Sequence, residues 1–441
     1  MSELLALGLS HKTAPLGLRE RLALPEGRAA GLMGELTFSG GATEATIVST
    51  CNRTEIYLLA PDPVVAESEV LTALASKADI RPTELVAHLY SLRGVDAARH
   101  LFRVTAGLES MVLGEAEIQG QVKRAHELAM VEGASGPVLN RLFRGAIAAG
   151  GRVRNETGIG EKGVSVASVA VAEARRVLGD LANRQALVIG TGATAELVAR
   201  ALTRRGTESV FIANRHFDRA RGLAERFGGE AARVADLPER LSEPDIVISA
   251  TNSPHHLIEP ELLSPVMEGR GDRPLLLIDL AVPRDIDPGV RELPGVSVFD
   301  IDDLQIVAGR NAARREAESV EAERILEAEL DLFERWMESL EVVPTIVSLR
   351  ERADEIVDRV LVENADRWEN LGEADRERLE TVTRAVARRM LHEPTLKLKD
   401  MAGTEAAYEA VNTLRELFGL DVETDPGGGS EATVTPIRRK A

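Results

Sequence analysis

Cysteine is almost missing from this chain, with one residue, Cys51, among 441. That excludes an internal disulfide and any cysteine-rich metal centre, so no metal site is expected, and it suits a reducing compartment. Aromatic residues are scarce at 3%, while Ala, Leu, Glu and Arg abound, a balance that favours helices. Basic charge is in deficit, 53 Lys and Arg against 71 Asp and Glu, for a net charge of −18. Such a deficit argues against non-specific nucleic-acid binding, although a local basic patch could still hold one polynucleotide. No apolar run approaches the ~20 residues of a membrane span, and the first residues lack a basic leader segment. A cytoplasmic protein without a membrane partner is expected. At this length about three domains follow.

The pattern along the chain changes twice. Short strands and helices alternate first: Leu4–Leu9 as a strand, Arg19–Leu36 as a helix interrupted at Pro25, and Thr46–Val48 and Ile56–Leu59 as strands. Helices follow at Val64–Ala78, Pro82–Leu89, Val95–Ala106 and Val138–Val153, giving an α/β or α+β domain over residues 1–160. Arg141, Arg144, Arg152 and Arg154 give the last of these a basic face, either a solvated surface or a place for a polynucleotide. After a turn at Glu161–Gly163 and a helix at Val164–Leu178, strands alternate strongly with helices. Strands at Ala186–Ile189, Ser209–Ala213, Ile246–Ala250, Leu275–Leu280 and Val296–Phe299 predict a doubly wound parallel-sheet nucleotide fold over residues 161–302.

From Asp303 the chain is nearly all helical. Leu326, Leu330, Phe333, Met337 and Leu340 step by four and three, and the stripe resumes after Pro344 with Ile346, Leu349, Ala353, Ile356 and Val360. Leu379, Val382, Val386 and Met390 mark a further helix, and Tyr408–Phe418 another. Residues 303–424 are therefore an all-α domain, packing either on itself or on a second copy. Residues 425–441, with Gly427, Gly428 and Gly429, predict a disordered tail.

Two stretches carry chemistry. In the first, Cys51 sits at a polar turn between Thr50 and Asn52, next to Arg53. A neighbouring Arg favours the thiolate, which is the nucleophile, whereas a lone cysteine can equally be a buried packing residue. The second stretch is Gly190-Thr191-Gly192-Ala193-Thr194-Ala195, between a predicted strand and helix. Gly190 makes the tight turn, Gly192 lets a pyrophosphate approach the backbone, and Ala195 lets helix and sheet pack, so a dinucleotide is expected. The second strand of that fold ends in Asn214 and Arg215, not an acid, and Arg215 can meet a 2′-phosphate with charge-assisted bonds; NADPH is favoured. Thr251, Asn252 and Ser253 fall where the switch-point crevice is expected. A nucleophilic thiol and a hydride donor together suggest reduction of a thioester.

The segments STCNRTEIY, HLFRVTAGLESMVLGEAEIQGQVK, the Gly190–Ala195 loop, LIDLAVPRDIDP and VVPTI resemble glutamyl-tRNA reductase from Leu7 to about Phe418. The resemblance implies an NADPH-dependent oxidoreductase that takes glutamate from its tRNA as a thioester on Cys51 and reduces it to glutamate-1-semialdehyde. That step opens tetrapyrrole (porphyrin) synthesis. It also implies a V-shaped homodimer of catalytic, NADPH and dimerisation domains along one long helix, and possible handover of product to the aminomutase. By the same resemblance His100 assists catalysis, and Thr50, Asn52, Arg53, Ser110, Glu115 and Gln121 contact substrate. The family's Gly-Glu-Pro-Gln run is here Gly114, Glu115, Ala116 and Glu117, which loosens the turn and alters the contact expected at Glu117. The competing enzyme is a semialdehyde dehydrogenase acting on a small acyl phosphate, in which the nucleophile normally follows the nucleotide fold. A non-enzymatic dinucleotide sensor is the third possibility, and it would show no reactive thiol.

Overall fold

The computed structural model describes residues 2–38, 41–115, 117–160, 166–182, 184–207, 209–309, 316–368 and 371–420. The tail expected at 425–441 and the turn at Glu161–Gly163 lie outside the described residues.

The opening pattern folds as β1 (Glu3–Ser10), α1 (Leu16–Arg21), α2 (Glu26–Phe38), β2 (Glu44–Ser49), β3 (Arg53–Ala60), α3 (Pro63–Ala78), α4 (Pro82–Val86) and β4 (Tyr90–Arg93). Three helices follow, α5 (Gly94–Thr105), α6 (Glu117–Val131) and α7 (Pro137–Glu156). The strands form one antiparallel sheet in the order β2-β3-β1-β4. Leu5, Leu7, Leu9, Ile47, Ile56 and Leu58 of this sheet pack on Leu32, Met33 and Leu74 of the helices. Local chemistry sets the helix ends. The Asp62 carboxylate accepts from Val64 N at 2.9 Å and Val65 N at 3.1 Å to start α3. Buried Glu44 does the same for α7, accepting from Val138 N at 3.0 Å and Leu139 N at 2.6 Å. These are the free donors every helix start leaves. The helix expected over Arg19–Leu36 is two helices, α1 and α2, separated at Leu22–Pro25, consistent with the missing donor of proline.

Helix α8 (Val166–Leu178) leads into β5 (Gln185–Ile189), α9 (Ala193–Thr203), β6 (Ser209–Asn214), α10 (Phe217–Phe227), β7 (Glu230–Arg233) and α11 (Leu237–Arg240). Then come β8 (Ile246–Ser249), α12 (Pro260–Arg270), β9 (Leu275–Asp279), β10 (Val296–Phe299) and α13 (Ile301–Gly309). All pairings are parallel, in the order β10-β9-β8-β5-β6-β7. The strand order reverses between β5 and β8, so a crevice opens beyond their carboxyl ends, where such folds bind ligands.

The two sheets belong to one compact unit, Met1–Asp331. Arg284 clasps Glu20 with its backbone N at 2.8 Å, Nε at 2.8 Å and Nη2 at 2.9 Å. Arg19 is ion-paired with Asp302, and Val112 joins the core of the parallel sheet. Helix α14 (Glu316–Glu341) brings Glu327 to Arg99 at 2.9 Å, Glu329 to Arg152 at 2.6 Å, and Glu323 to Arg103. Arg152 of the basic helix is thus neutralised within the chain.

The second unit begins at Leu332 and contains α15 (Val343–Glu363), α16 (Glu373–Asp400) and α17 (Glu405–Phe418). The long seam is broken: α14 ends at Glu341, and α15 starts at Val343 with Pro344 in its first turn, the position a helix tolerates proline best. Val342, Ile346, Leu398 and Val411 form a small core. Much of the expected stripe is not covered by its own chain, with Ile356 45%, Val382 60%, Val386 54% and Met390 73% exposed. No described helix is long and apolar enough to cross a membrane.

Candidate active site

Strand β3 begins at Arg53, three residues before the expected start, and this changes the chemistry of the turn. Thr50 N donates to Arg53 O at 2.8 Å, leaving Cys51 and Asn52 at the tip of a tight hairpin between β2 and β3. The Thr50 hydroxyl accepts from Asn52 N at 3.1 Å, and Asn52 O accepts from His11 N at 2.8 Å. Because side chains alternate along a strand, Arg53, Glu55 and Tyr57 share a face. Arg53 Nη1 donates to Glu55 Oε1 at 2.7 Å, and Nη2 donates to Glu109 O at 2.5 Å. Arg53 is therefore committed to a carboxylate instead of lending its charge to the thiol, which corrects the expectation that it favours thiolate.

Glu55 is the hub of the site. It is fully buried and accepts from Tyr90 Oη at 2.6 Å, Tyr57 Oη at 2.7 Å and His100 Nε2 at 2.9 Å besides Arg53. Burial opposes its charge, but Arg53, His100 and the Tyr90 hydroxyl outweigh burial and hold the carboxyl well below the usual range. His100 reaches the site from α5 and is oriented by this carboxylate, with Tyr90 against its ring at 5.2 Å.

Cys51 is half-buried. Burial pushes its thiol up to about 12, the Glu115 and Glu117 carboxylates push the same way, and Arg19 pulls against them. Arg19 Nη1 donates to the Cys51 carbonyl at 2.8 Å. In this arrangement the thiol is protonated at neutral pH. Glu115 is raised to about 7 by burial and by Glu117, against the neighbouring Ser110 hydroxyl and the charge of Arg53.

The loop that carries Glu115 is shaped by Gly114, at φ +78, where an added Cβ would lie 2.5 Å from Ile159 O. Buried Asn52 Oδ1 and Ser110 Oγ have no hydrogen-bond partner among the described residues, so the turn and its neighbouring loop offer an acceptor and a hydroxyl for a polar guest. Gln121 is partly exposed one turn beyond Glu117 on α6; Ala116 lies outside the described residues. His11 was not singled out as a site residue. Burial, then the charges of Arg53, Arg19 and Lys12, lower it to about 4, so it is neutral beside the turn, with Nδ1 unpartnered among the described residues.

The nucleotide loop fits a dinucleotide. Gly190 stands at φ +118, and a Cβ there would lie 2.3 Å from Ala250 O, so only glycine suits the turn. Gly192 caps α9 in an extended conformation without a side-chain cap and faces open space, which leaves the helix N-terminus available to a diphosphate. Ala195 is fully buried in the core. Asn214 Nδ2 donates to Thr191 Oγ1 at 3.0 Å, fixing the end of β6 against the loop. Arg215 is exposed just beyond, and Arg219, one turn further on α10, lines a cavity of about 370 Å³ with Thr191. Arg219 is a further cation at this end of the loop, and no motif in the sequence marks it. Thr251 is committed to Asp285, donating through N at 3.1 Å and Oγ1 at 2.6 Å. Glu117, whose contact was in question, accepts from Thr194 Oγ1 at 2.9 Å. The cysteine side of the cleft and the nucleotide loop are already in contact.

Three family models match in sequence order. "Glutamyl-tRNAGlu reductase, N-terminal domain" covers residues 7–157, "Shikimate / quinate 5-dehydrogenase" covers 172–307, and "Glutamyl-tRNAGlu reductase, dimerisation domain" covers 321–420. The glutamyl-tRNA reductase of Magnetococcus marinus is 38% identical over 95% of this chain and 99% of its own. That of Pelotomaculum thermopropionicum is 41% identical over 95% and 94%. Among solved structures, glutamyl-tRNA reductase from Methanopyrus kandleri is 33% identical with a TM-score of 0.51, covering 95% of this chain and 100% of that one. With these matches spanning nearly its whole length, the chain belongs to the glutamyl-tRNA reductase family.

Proposed function

We propose that this chain reduces glutamyl-tRNA to glutamate-1-semialdehyde with NADPH, releasing free tRNA, as the first step of tetrapyrrole synthesis. The observation that carries the reading is the placement of a solitary thiol, Cys51, in one compact unit with a nucleotide loop, linked through Glu117 and Thr194. Cys51 is the nucleophile. Its proton must leave before attack, and Glu115, raised to about 7, is the neighbouring carboxylate suited to take it. The thiolate attacks the ester carbonyl of the glutamyl group, the tRNA 3′-terminal ribose oxygen leaves and gains a proton, and a thioester remains. The orphaned Asn52 Oδ1 and Ser110 Oγ, with Thr50 and Gln121 around them, hold the glutamyl group. Arg53 and His100, both bonded to Glu55, keep the turn in register, and His100 assists proton traffic. NADPH, when bound, supplies the hydride that turns the thioester into an aldehyde. Gly190, Thr191, Gly192, Ala193, Thr194 and Ala195 would hold its diphosphate, and Asn214, Arg215 and Arg219 would be the groups for its 2′-phosphate.

The catalytic, nucleotide and helical domains divide near residues 160 and 302 in this reading. The uncovered stripe of Ile356, Val382, Val386 and Met390 supports a homodimer through the C-terminal helices. Arg141 and Arg144 are the cations of the basic helix suited to tRNA, and the aldehyde passes to the aminomutase. The test of the reaction is Cys51→Ser with charged tRNA and NADPH. Loss of aldehyde formation is expected; a variant as active as wild type would overturn the mechanism.

A further inference from the structure

Arg19 sits where the two halves of the first unit meet and touches the nucleophile's turn on one side and the nucleotide-binding half on the other. Its side chain is 2% exposed. Nε donates to Ala14 O at 3.3 Å and Nη1 to Cys51 O at 2.8 Å, while Nη2 is paired with Asp302 in the first turn of α13. The next residue on α1, Glu20, grips Arg284 through three hydrogen bonds. Two adjacent residues of opposite sign thus hold two oppositely charged residues of the other half. Asp302 is 39% exposed, so its half of the latch lies at the rim and can part without emptying a core.

Among the described residues the charged groups that act most on the thiol are Arg19 from α1, Glu115 from the loop before α6 and Glu117 from α6. Neutral His11 stands beside Arg19, and Arg53 is occupied by Glu55. Arg19 is therefore the favourable charge for a thiolate, and Asp302 shares it. An ion pair presents much less field to a third group than a lone cation does.

We propose that Arg19 is a positioning residue that couples closure of the two halves to Cys51: with Asp302 engaged its charge is shared, and with Asp302 withdrawn its undivided charge prepares the thiol for acyl transfer. The closed arrangement described above is the one suited to reduction, with the nucleotide loop against the cleft. The open one is suited to attack on the ester. The inference rests on Cys51 being the nucleophile.

The test follows the sole thiol of the full chain with iodoacetamide, as a function of pH and without tRNA or NADPH. Asp302→Asn should lower the apparent pKa of Cys51 by about one unit, the smaller end of a typical charge effect. Lower intrinsic nucleophilicity offsets part of the gain in thiolate, so alkylation near neutral pH should be about three- to fourfold faster. Glu20→Gln, which loosens the same closure without touching Arg19, should shift the profile the same way. An Asp302→Asn profile that superimposes on wild type overturns the proposal, and so does a shift in Asp302→Asn with none in Glu20→Gln. If the alkylation shifts occur but Cys51→Ser still makes aldehyde, the nucleophile assignment falls and the latch stands. If Cys51→Ser is inactive and the profiles do not move, the latch alone falls.

Discussion

Glu55→Gln keeps the shape of a fully buried side chain and removes its charge. The carboxylate's Oε1 serves Arg53, Tyr90 and His100, and Oε2 serves Tyr57. An amide oxygen placed at Oε1 can retain some of the first three, and the Tyr57 hydroxyl can turn to accept from the amide. The Arg53 guanidinium, 2% exposed, has no such remedy. It is left as a buried cation without its anion, which costs about 3–5 kcal/mol. Tyr57→Phe removes only one bond to a charged acceptor, about 1.5–3 kcal/mol, and the ring keeps its edge contact with Phe143 at 5.4 Å. At about 2–4 °C per kcal/mol for a sizeable domain, Glu55→Gln should lower Tm by about 6–20 °C in scanning calorimetry, and Tyr57→Phe by less. The pH dependence has a definite sign. A carboxyl held below its ordinary value contributes stability that is complete above about 4.5 and is lost as pH falls towards its depressed pKa. Wild type should therefore lose stability more steeply on acidification than Glu55→Gln does. A Tm within about 2 °C of wild type, or parallel acid limbs, would show that Glu55 is not the charge hub described.

Other outcomes bear on the chemistry. Wild-type acyl transfer, followed as tRNA release in a single turnover, should rise with pH through about 7 as Glu115 ionises. Glu115→Gln should lose that limb, and an unchanged profile would remove Glu115 as the base. Arg215→Asp should raise the KM for NADPH by at least about tenfold, a loss of roughly 1.4 kcal/mol, and narrow the preference over NADH. Equal ratios would mean that Arg219 alone meets the phosphate. Neutralising Arg141 and Arg144 together should weaken tRNA binding and flatten its dependence on salt by up to about two units of slope. An unaltered slope would place the tRNA elsewhere.

The parts of this molecule that depend on near neighbours were legible in the sequence. The Cys51 hairpin, the parallel sheet and the Gly190 loop each arise from local alternation or from glycine at a fixed position, and all appear in the structure. The hub at Glu55 was not legible, because Tyr90 and His100 come from β4 and α5, 35 and 45 residues away. One clue is present: Arg53, Glu55 and Tyr57 at alternate positions imply a charged strand face, which an apolar run beginning at Ile56 does not show. Edge strands β4 and β7 escaped notice because they are four residues long with polar members, too short for a clear period. Arg19 carried no local signal at all. Beyond Ala14, five residues back, its partners lie 32 and 283 residues away, and only the packed structure reveals a buried guanidinium.

The solitary thiol has a consequence for survival under oxidising stress. A sulfenic acid formed at Cys51 would find no second cysteine in the chain with which to form an internal disulfide, so rescue would depend on an external thiol. Oxidants react with the thiolate, and the arrangement around Cys51, with the pKa pushed up to about 12, keeps that form scarce. The same burial and carboxylates that make the resting nucleophile sluggish therefore shelter a residue that the chain has no means of repairing on its own.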